Sequence, residues 1–474
     1  MPEANQNPWY HLATLYGEPA IGDEDLQSKN RTAWNRIMAS RLGEEERAKL
    51  AAERPDLVES LKPCSPNEWR YYNQTFRERR AEGNMVPYLG FNLTNLADAI
   101  DLSDLTFETA AIFSGFIFPT EANFRKSIFN KEAIFSDAIF MGEVNFSEVD
   151  FQQEVSFGSS IFSRQVSFKD ATFSRAHFDR AVFKDIATFS GAVFNDYVWF
   201  KRGTFLEIAS FRGVKFADGC EFSRATFSGT VYFSKAEFSG RAYFANTTFY
   251  DRARFDKTMF KDGADFEDAT FGGSASFVDA SLEGTSSFAA TFEAEPPQFF
   301  GAKLHEGTSW YGAKWPTRPR NERYAVEFVH AYERLKLEMD KLKKHEDELG
   351  FFVLEMRSRQ VLYGPWSGFF LYIYGFLSDY GRSYAKPTLA LILTVFPGGV
   401  PYWMYLGPFK LKKAVGLSLA NTFGVFGFRK DFVPTHLVEG LPGLLKIFAA
   451  AQTVVGAALI FLFGLALRNR LRMK

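Results

Sequence analysis

Side chains able to do chemistry are few and scattered along this chain. The six histidines, at positions 11, 177, 305, 330, 345 and 436, share no ligand spacing, and no HExxH, CxxC or GxxxxGK[ST] run occurs. His177 stands one place before Phe178, a position that should point outward. Cys64 and Cys220 lie in different regions, so two free thiols in a reducing compartment fit better than a bridge. No catalytic residue, metal ligand or cofactor site is assigned, and a non-enzymatic protein without cofactors is expected. One stretch has a composition that could serve a chemical role, AVGLSLANTFGVFGF, from Ala414 to Phe428. It begins as a helix too short to cross a bilayer and ends in glycine-rich backbone. Asn421, Thr422, Gly424 and Gly427 are its pore or filter candidates, because rings of backbone carbonyls can replace the water around an ion.

Those residues need elements to hold them. On either side lie two stretches without formal charge, Pro387 to Phe409 with 23 residues and Ile447 to Leu467 with 21. About 20 apolar residues cross a bilayer, so both qualify as spans. The first contains Pro397, Gly398, Gly399 and Pro401 and must kink or unwind midway. Backbone freed at that depth has to be satisfied by neighbours or by water, which means either a structural bend or a cavity. Upstream, Leu362 to Lys386 interleaves aromatic residues with Phe and Leu. It reads as an interfacial helix leading into the span, with Trp366, Tyr380 and Arg382 as anchors. Before it, Tyr324, Phe328, Tyr332, Leu335, Met339 and Leu342 mark the apolar face of one helix, and the polar run KLKKHEDE turns the chain into a second. Such a pair of amphipathic helices is also what subunits use to pack on one another.

The longest regularity lies between Phe107 and Phe292. A large apolar residue recurs there after alternately five and six positions, giving 35 beats of which 34 are Phe and one is Leu282. The residue two before each beat is nearly always small, as at Ala225, Val231, Ala236 and Ala242. Neither a helix nor a flat strand has this period. A coil that turns a corner after each unit does, and self-similarity at a short fixed period means a solenoid. The beat slips at Phe168, Phe173, Phe178 and Phe183, each five apart, and shortens again from Phe288 to Phe292. An irregularity is expected at the first place and fraying at the second.

Units such as FKDATF (Phe168 to Phe173) and FEDATF (Phe266 to Phe271) resemble the pentapeptide-repeat family. The resemblance implies a mainly β chain built on a right-handed, four-sided (quadrilateral) β-helix of about 22 residues per coil. With strands about 4.8 Å apart, eight or so coils give a rod roughly 40 Å long. Residues 1–100 read as a helical cap on its first coil, with a separate partner-binding module as the alternative. Within them Ser65 caps a helix with Pro66 at its first position, Glu68 can close a capping box with Ser65, and Gly83 ends the helix. Residues 101–293 are the solenoid, 294–319 a Pro- and Gly-rich linker, 320–386 a helical connector, and 387–474 the two spans with the short helix between them.

Outward positions from Asp101 to Glu295 carry 28 acidic and 19 basic residues. Some members of the family are acidic rods that mimic duplex DNA and bind topoisomerases. Phosphate mimicry needs an unbroken negative stripe, and Arg175, Arg180, Lys184, Lys201, Arg202 and Arg212 interrupt this one, which favours a solvated scaffold over a nucleic-acid-like surface. The order span, short helix, glycine-rich turn, span is similar to the plan of two-span cation channels. Their filter resembles Thr-Val-Gly-Tyr-Gly, whereas Thr422 to Gly427 has one residue too many, so potassium selectivity is not implied. The motif LSDYGRS (Leu377 to Ser383) and the basic tail from Leu465 to Lys474 are similar to a bacterial membrane subset of pentapeptide-repeat proteins. Positive charges flanking the spans and in the loop between them are tied, so charge does not set orientation. The start of the chain shows no basic n-region and no apolar h-region, so the folded N-terminal mass, and with two spans both termini, are expected in the cytoplasm. The expectation is a multi-pass protein of a bacterial inner membrane: an oligomeric ion-channel-like protein whose rod senses or assembles. The alternative is a membrane-anchored scaffold holding a cytoplasmic protein partner.

Overall fold

The inward Phe residues set the geometry of every unit. Strands are only two residues long and come in two kinds. On two sides of the coil the second strand residue is the buried Phe, as in Thr204–Phe205. On the other two a small residue fills the buried strand position, as in Ala209–Ser210, and Phe211 follows it into the corner. In this computed structural model, which describes residues 1–82, 99–427 and 440–472, these strands form four parallel sheets of 9, 10, 8 and 9 strands. The result is a right-handed, four-sided β-helix of about nine turns. The chain divides into two units, Met1–Pro316 and Thr317–Lys474, and each is described by itself.

Four aromatic columns run through the first unit. Phe200 stacks on Phe178 at 4.8 Å and on Phe222 at 4.7 Å, with the rings parallel to within 4°. It also meets Phe189 and Phe211 edge to face at 5.4 Å. Both are geometries that the ring quadrupole favours. Alternate corners turn through the left-handed region. Non-glycine examples include Asp104, Lys126, Arg202 and Lys235, and Gly191 and Gly213 serve at others. From Asp104 to Asp279 these corners recur every 11 residues, except that Arg180 follows Asp170 by ten. The missing residue comes from the corner between Thr172–Phe173 and Ala176–His177, which has two residues where its counterpart before Val198–Trp199 has three. The ladder does not break there: Ala176 still pairs with Val155 below and Val198 above. The expected irregularity is confined to one corner.

The segment expected to be a linker is a further stretch of coil. Phe299 stacks on Phe277 at 4.8 Å, Trp310 on Phe288 at 4.7 Å and Trp315 on Phe292 at 5.1 Å. Leu282 pairs with Leu304. The four-residue step from Phe288 to Phe292 is offset by a seven-residue step through Pro296 and Pro297 to Phe299, after which the beat resumes with Leu and Trp in place of Phe. The pairing thins there to single bridges, such as Ser287 with Ser309 and Thr291 with Lys314.

At the other end, helices α1 (Pro8–Ala13), α2 (Glu24–Ala39), α3 (Glu44–Glu53) and α4 (Pro66–Glu82) accompany the first coils. An open parallel edge leaves backbone donors and acceptors unpaired, and this segment supplies their partners. Asn35 donates to the Gly115 carbonyl at 2.9 Å and accepts from the Ile117 amide at 2.9 Å, while Trp34 donates to the Ile117 carbonyl at 2.7 Å. The Thr106 amide donates to the Pro2 carbonyl. Trp34 is fully buried over Phe116 at 5.5 Å. At the start of α4 the Glu68 carboxylate accepts from the Ser65 amide at 2.8 Å, and the Ser65 hydroxyl accepts from the Glu68 amide at 3.3 Å, which is the expected capping box. Gly83, expected to end this helix, lies outside the described residues.

In the second unit, α5 (Glu322–Lys341) and α6 (His345–Ser367) form an antiparallel hairpin around Phe328, Tyr332, Leu335 and Met339. The helix α7 (Phe369–Ser378) follows a kink at Gly364 and Pro365. Then come α8 (Ala385–Val395), a 3-10 turn over Pro397–Gly399, α9 (Val400–Leu406), α10 (Leu411–Thr422) and α11 (Gly443–Arg472). Ala385–Leu406 and Gly443–Arg472 are long and apolar enough to cross a membrane, with mean hydropathies of 1.5 and 2.1.

Candidate functional site

The break in the first span is built around three polar side chains from three helices. Pro397 opens a 3-10 turn in which the Gly399 amide donates to Phe396, so the carbonyls one turn earlier lose their helical partners. Ser418 of α10 donates to the Val395 carbonyl at 2.7 Å, and Gln452 of α11 donates to the Thr394 carbonyl at 2.9 Å and to Ser418 Oγ at 2.5 Å. The other end of the Gln452 amide accepts from the Tyr402 hydroxyl at 3.1 Å, and Tyr402 in turn accepts from Asn421 at 3.0 Å. Ser418, Asn421, Tyr402 and Gln452 are all buried. Of the two outcomes open from the sequence, the described residues form a bend whose freed carbonyls are satisfied by neighbours. Gly398 is part of the device: a Cβ there would lie 2.8 Å from the Gln452 amide nitrogen. Gly399 packs on Val415, and Pro401 falls in the first turn of α9.

The four pore candidates divide. Asn421 and Thr422 are completely buried, Thr422 donating back to the Ser418 carbonyl at 2.9 Å. The Asn421 Oδ1 atom has no hydrogen-bond partner among the described residues. Gly424 begins a 3-10 turn through Phe426, with its α-carbon facing Thr453 on α11. Gly427, at φ 78°, closes that turn in the left-handed region and is exposed. The amides of Phe426 and Gly427 take up the carbonyls of Phe423 and Gly424. Close approach of the two helices depends on Gly456, where a Cβ would meet the Thr422 carbonyl at 2.0 Å. Phe428, which closed the loop segment in the sequence, and His436 lie outside the described residues.

The expected interfacial anchors also divide. Trp366 is 92 % exposed and Arg382 is exposed. Tyr380 is instead buried within the unit, with its ring edge-on to Tyr374 at 5.5 Å and lying over Gly375. The cause is local. Asp379, Tyr380 and Gly381 all have positive φ, a reversal that folds the Tyr380 ring back onto α7. Asp379 is held by Arg357 at 3.1 Å.

On the solenoid, charges pair between coils rather than forming a stripe of one sign. Arg125 meets Glu148 at 2.7 Å and Arg175 meets Asp196 at 2.9 Å. His177 points outward as expected, 3.3 Å from Glu154 and stacked on Trp199 at 4.2 Å. The Cys220 thiol fills an inward small-residue slot, and burial pushes its pKa well up. Among the described residues, one group of acidic and imidazole side chains has metal-like spacing: Asp340, His345 and Glu348. Arg472 stands 3.5 Å from Asp340 and 3.7 Å from Glu348, so this group already holds a cation of the chain.

The polar staple was only partly legible. Ser418 and Gln452 do not stand out in the sequence as site residues, yet a lone glutamine in an otherwise apolar span is a signal in itself, because a polar side chain at that depth needs a partner.

No curated protein and no solved structure matches the chain. A family model of pentapeptide repeats matches residues 135–181, 178–226 and 222–270, all within the coiled unit whose inward Phe columns and paired corners are described above. The β-helix of this chain is a pentapeptide-repeat solenoid, the repeats matching over residues 135–270.

Proposed function

We propose that the protein is a membrane-anchored, non-enzymatic scaffold, in which the Thr317–Lys474 unit sits in a bacterial inner membrane and the β-helix offers its sides to a cytoplasmic protein partner. The observation that carries this reading is the state of the segment between the spans. Asn421 and Thr422 are buried within one chain, and the Phe423 and Gly424 carbonyls are used up in a 3-10 turn. A selectivity filter instead needs a row of carbonyls free to face an ion. The bend at Pro397 is closed by hydrogen bonds inside the unit, which suits a rigid anchor. Carbonate washing of membranes tests it: the full-length protein should remain in the pellet, and release into the wash would overturn the spanning role.

A second reading, an oligomeric channel-like protein with the β-helix as sensor or assembly domain, is favoured by one feature. The helix α10 packs between both apolar helices, in the order used by two-span channels, so that the buried Asn421 Oδ1, without a donor among the described residues, lies between them. Size in mild detergent and conductance in planar bilayers distinguish the two. A symmetric oligomer whose conductance is altered by Thr422→Ala and Gly424→Ala supports the channel. A chain that conducts nothing supports the scaffold.

A further inference from the structure

Outside the staple, the second unit has a cleft between α5, α6, α7 and the last turns of α11, of about 260 Å³. Lys336, Arg468 and Arg472 line it against a single carboxylate, Glu348, and its floor is apolar, with Phe352 and Leu465. Lys336 is committed to Glu355 at 2.7 Å. Arg472 reaches its carboxylates only at 3.5 and 3.7 Å. Arg468 has no ion pair among the described residues; its guanidinium meets Asn469 Oδ1 at 3.4 Å. Arg468 is therefore the cation of the cleft left without a carboxylate among the described residues, with Arg472 held only at longer range beside it.

Its depth relative to a bilayer follows from α11. That helix has 30 residues, about 45 Å at 1.5 Å per residue, against a hydrocarbon core of about 30 Å. Its uncharged stretch ends at Leu467. Arg468 to Arg472 thus emerge at the level of the headgroups, with Leu465 one turn deeper.

We infer that this cleft binds the headgroup of an anionic phospholipid, with the phosphate between Arg468 and Arg472 and the first acyl carbons against Leu465 and Phe352. The inference rests on the reading that α11 spans a bilayer. Two cations over an apolar floor match a phosphodiester joined to a chain, and a guanidinium can take a phosphate through two parallel hydrogen bonds. Arg470 lies on the same helix but stacks its guanidinium over Tyr384 at 4.7 Å; it is not part of the cleft and provides a control of equal charge.

The test uses full-length protein purified in mild detergent and exposed to an equimolar mixture of phosphatidylglycerol and phosphatidylcholine, with retained lipid counted by native mass spectrometry. Phosphatidylglycerol should be retained in excess. A cation near a membrane surface is worth about a fivefold change in binding, so Arg468→Gln with Arg472→Gln should lower that excess by about 25-fold. Arg470→Gln should leave it unchanged, and Arg468→Lys should lose less than Arg468→Gln. If the double variant aggregates, the single variant Arg468→Gln carries the test with an expected loss of about fivefold. Equal retention of both lipids by the wild type, or equal losses for Arg470→Gln and Arg468→Gln, overturns the proposal. So does displacement of the lipid by millimolar inorganic phosphate, which would make this a site for free phosphate. Carbonate extraction of the same variants reports separately on the spans: protein that stays in the membrane yet shows no lipid preference refutes the cleft alone.

Discussion

Replacing Phe200 by aspartate places a carboxyl group in the middle of an aromatic column. Phe200 is fully buried and has six ring neighbours, two stacked, three edge to face and one tilted. The rungs above and below are fixed by their own ladders, so the site cannot collapse to fill the space. Truncating a buried Phe costs about 3–5 kcal/mol. The carboxyl adds a pH-dependent part. No cation lies within the column, so the folded state prefers the neutral acid and holds its proton above the unfolded pKa of about 3.9. The folded state then binds more protons than the unfolded, and stability falls as pH rises, by about 1.4 kcal/mol per unit up to the folded pKa. Between pH 4 and 7 the extra loss approaches 4 kcal/mol, and the total rivals the whole stability of an ordinary domain. The assay is urea unfolding of the full-length protein in detergent, followed by far-ultraviolet circular dichroism and compared with wild type at each pH. Phe200→Asn has no titrating group and should show a loss that does not change with pH. Lys235→Ala lies at an exposed corner with φ 62°; both side chains carry the same Cβ there, so it should stay within about 0.5 kcal/mol of wild type. A Phe200→Asp penalty as small as that of Lys235→Ala, or one flat from pH 4 to 7, would refute the inward assignment and the dry core together.

Other expectations follow from the cap, the thiols and the staple. Asn35→Ala leaves the Gly115 carbonyl and the Ile117 amide without their partner, at about 1–3 kcal/mol each; a lower urea midpoint together with edge-to-edge association by light scattering is expected. Burial pushes both thiols up, Cys220 more than the half-buried Cys64. A thiol reagent at pH 8 should therefore modify Cys64 slowly in the native protein and Cys220 only after denaturant is added. Gly456→Ala drives a methyl group into the Thr422 carbonyl and should part α10 from α11, seen as earlier thermal aggregation in detergent while the β-helix signal is retained. Gln452→Leu removes the donor to the Thr394 carbonyl; it should lower thermal stability in detergent, whereas Gln452→Glu in its protonated form should recover part of the loss at low pH.

The β-helix was legible because every Phe plays the same part, with the same kind of neighbour above, below and beside it, so periodicity alone carries the fold. Legibility failed where the part stayed but the residue changed. Leu304, Trp310 and Trp315 continue the columns, yet a four-residue step followed by a seven-residue step through two prolines reads locally as an ending. The left-handed corners gave little signal either, since Arg180, Arg202 and Lys257 occupy them as well as Gly191, and their strain is offset by the ladders on both sides. The apolar spans and the Pro397 kink were visible in composition. How the kink is closed was not, because Ser418, Tyr402 and Gln452 come from three separate helices and only folding brings them together. The burial of Tyr380 was hidden for a related reason: an aromatic residue beside an apolar stretch suggests the interface, and only the backbone reversal at Asp379 turns it inward.

The shortened corner at Ser174 and Arg175 has a consequence for how such a chain can vary. The sheets pass it in register because the loss falls where no strand pairs, so length is tolerated by location rather than by amount. A deletion of one residue inside Val198–Trp199 would exchange the inward and outward positions of that short strand and pull Phe200 out of its column, whereas a duplicated or excised whole turn would leave each survivor with neighbours of the same kind. Gene variants of this rod should therefore differ in steps of a full turn, about 4.8 Å of reach each, and the distance from the helical cap to the last coil becomes a quantity that selection can set in increments without redesigning a single contact.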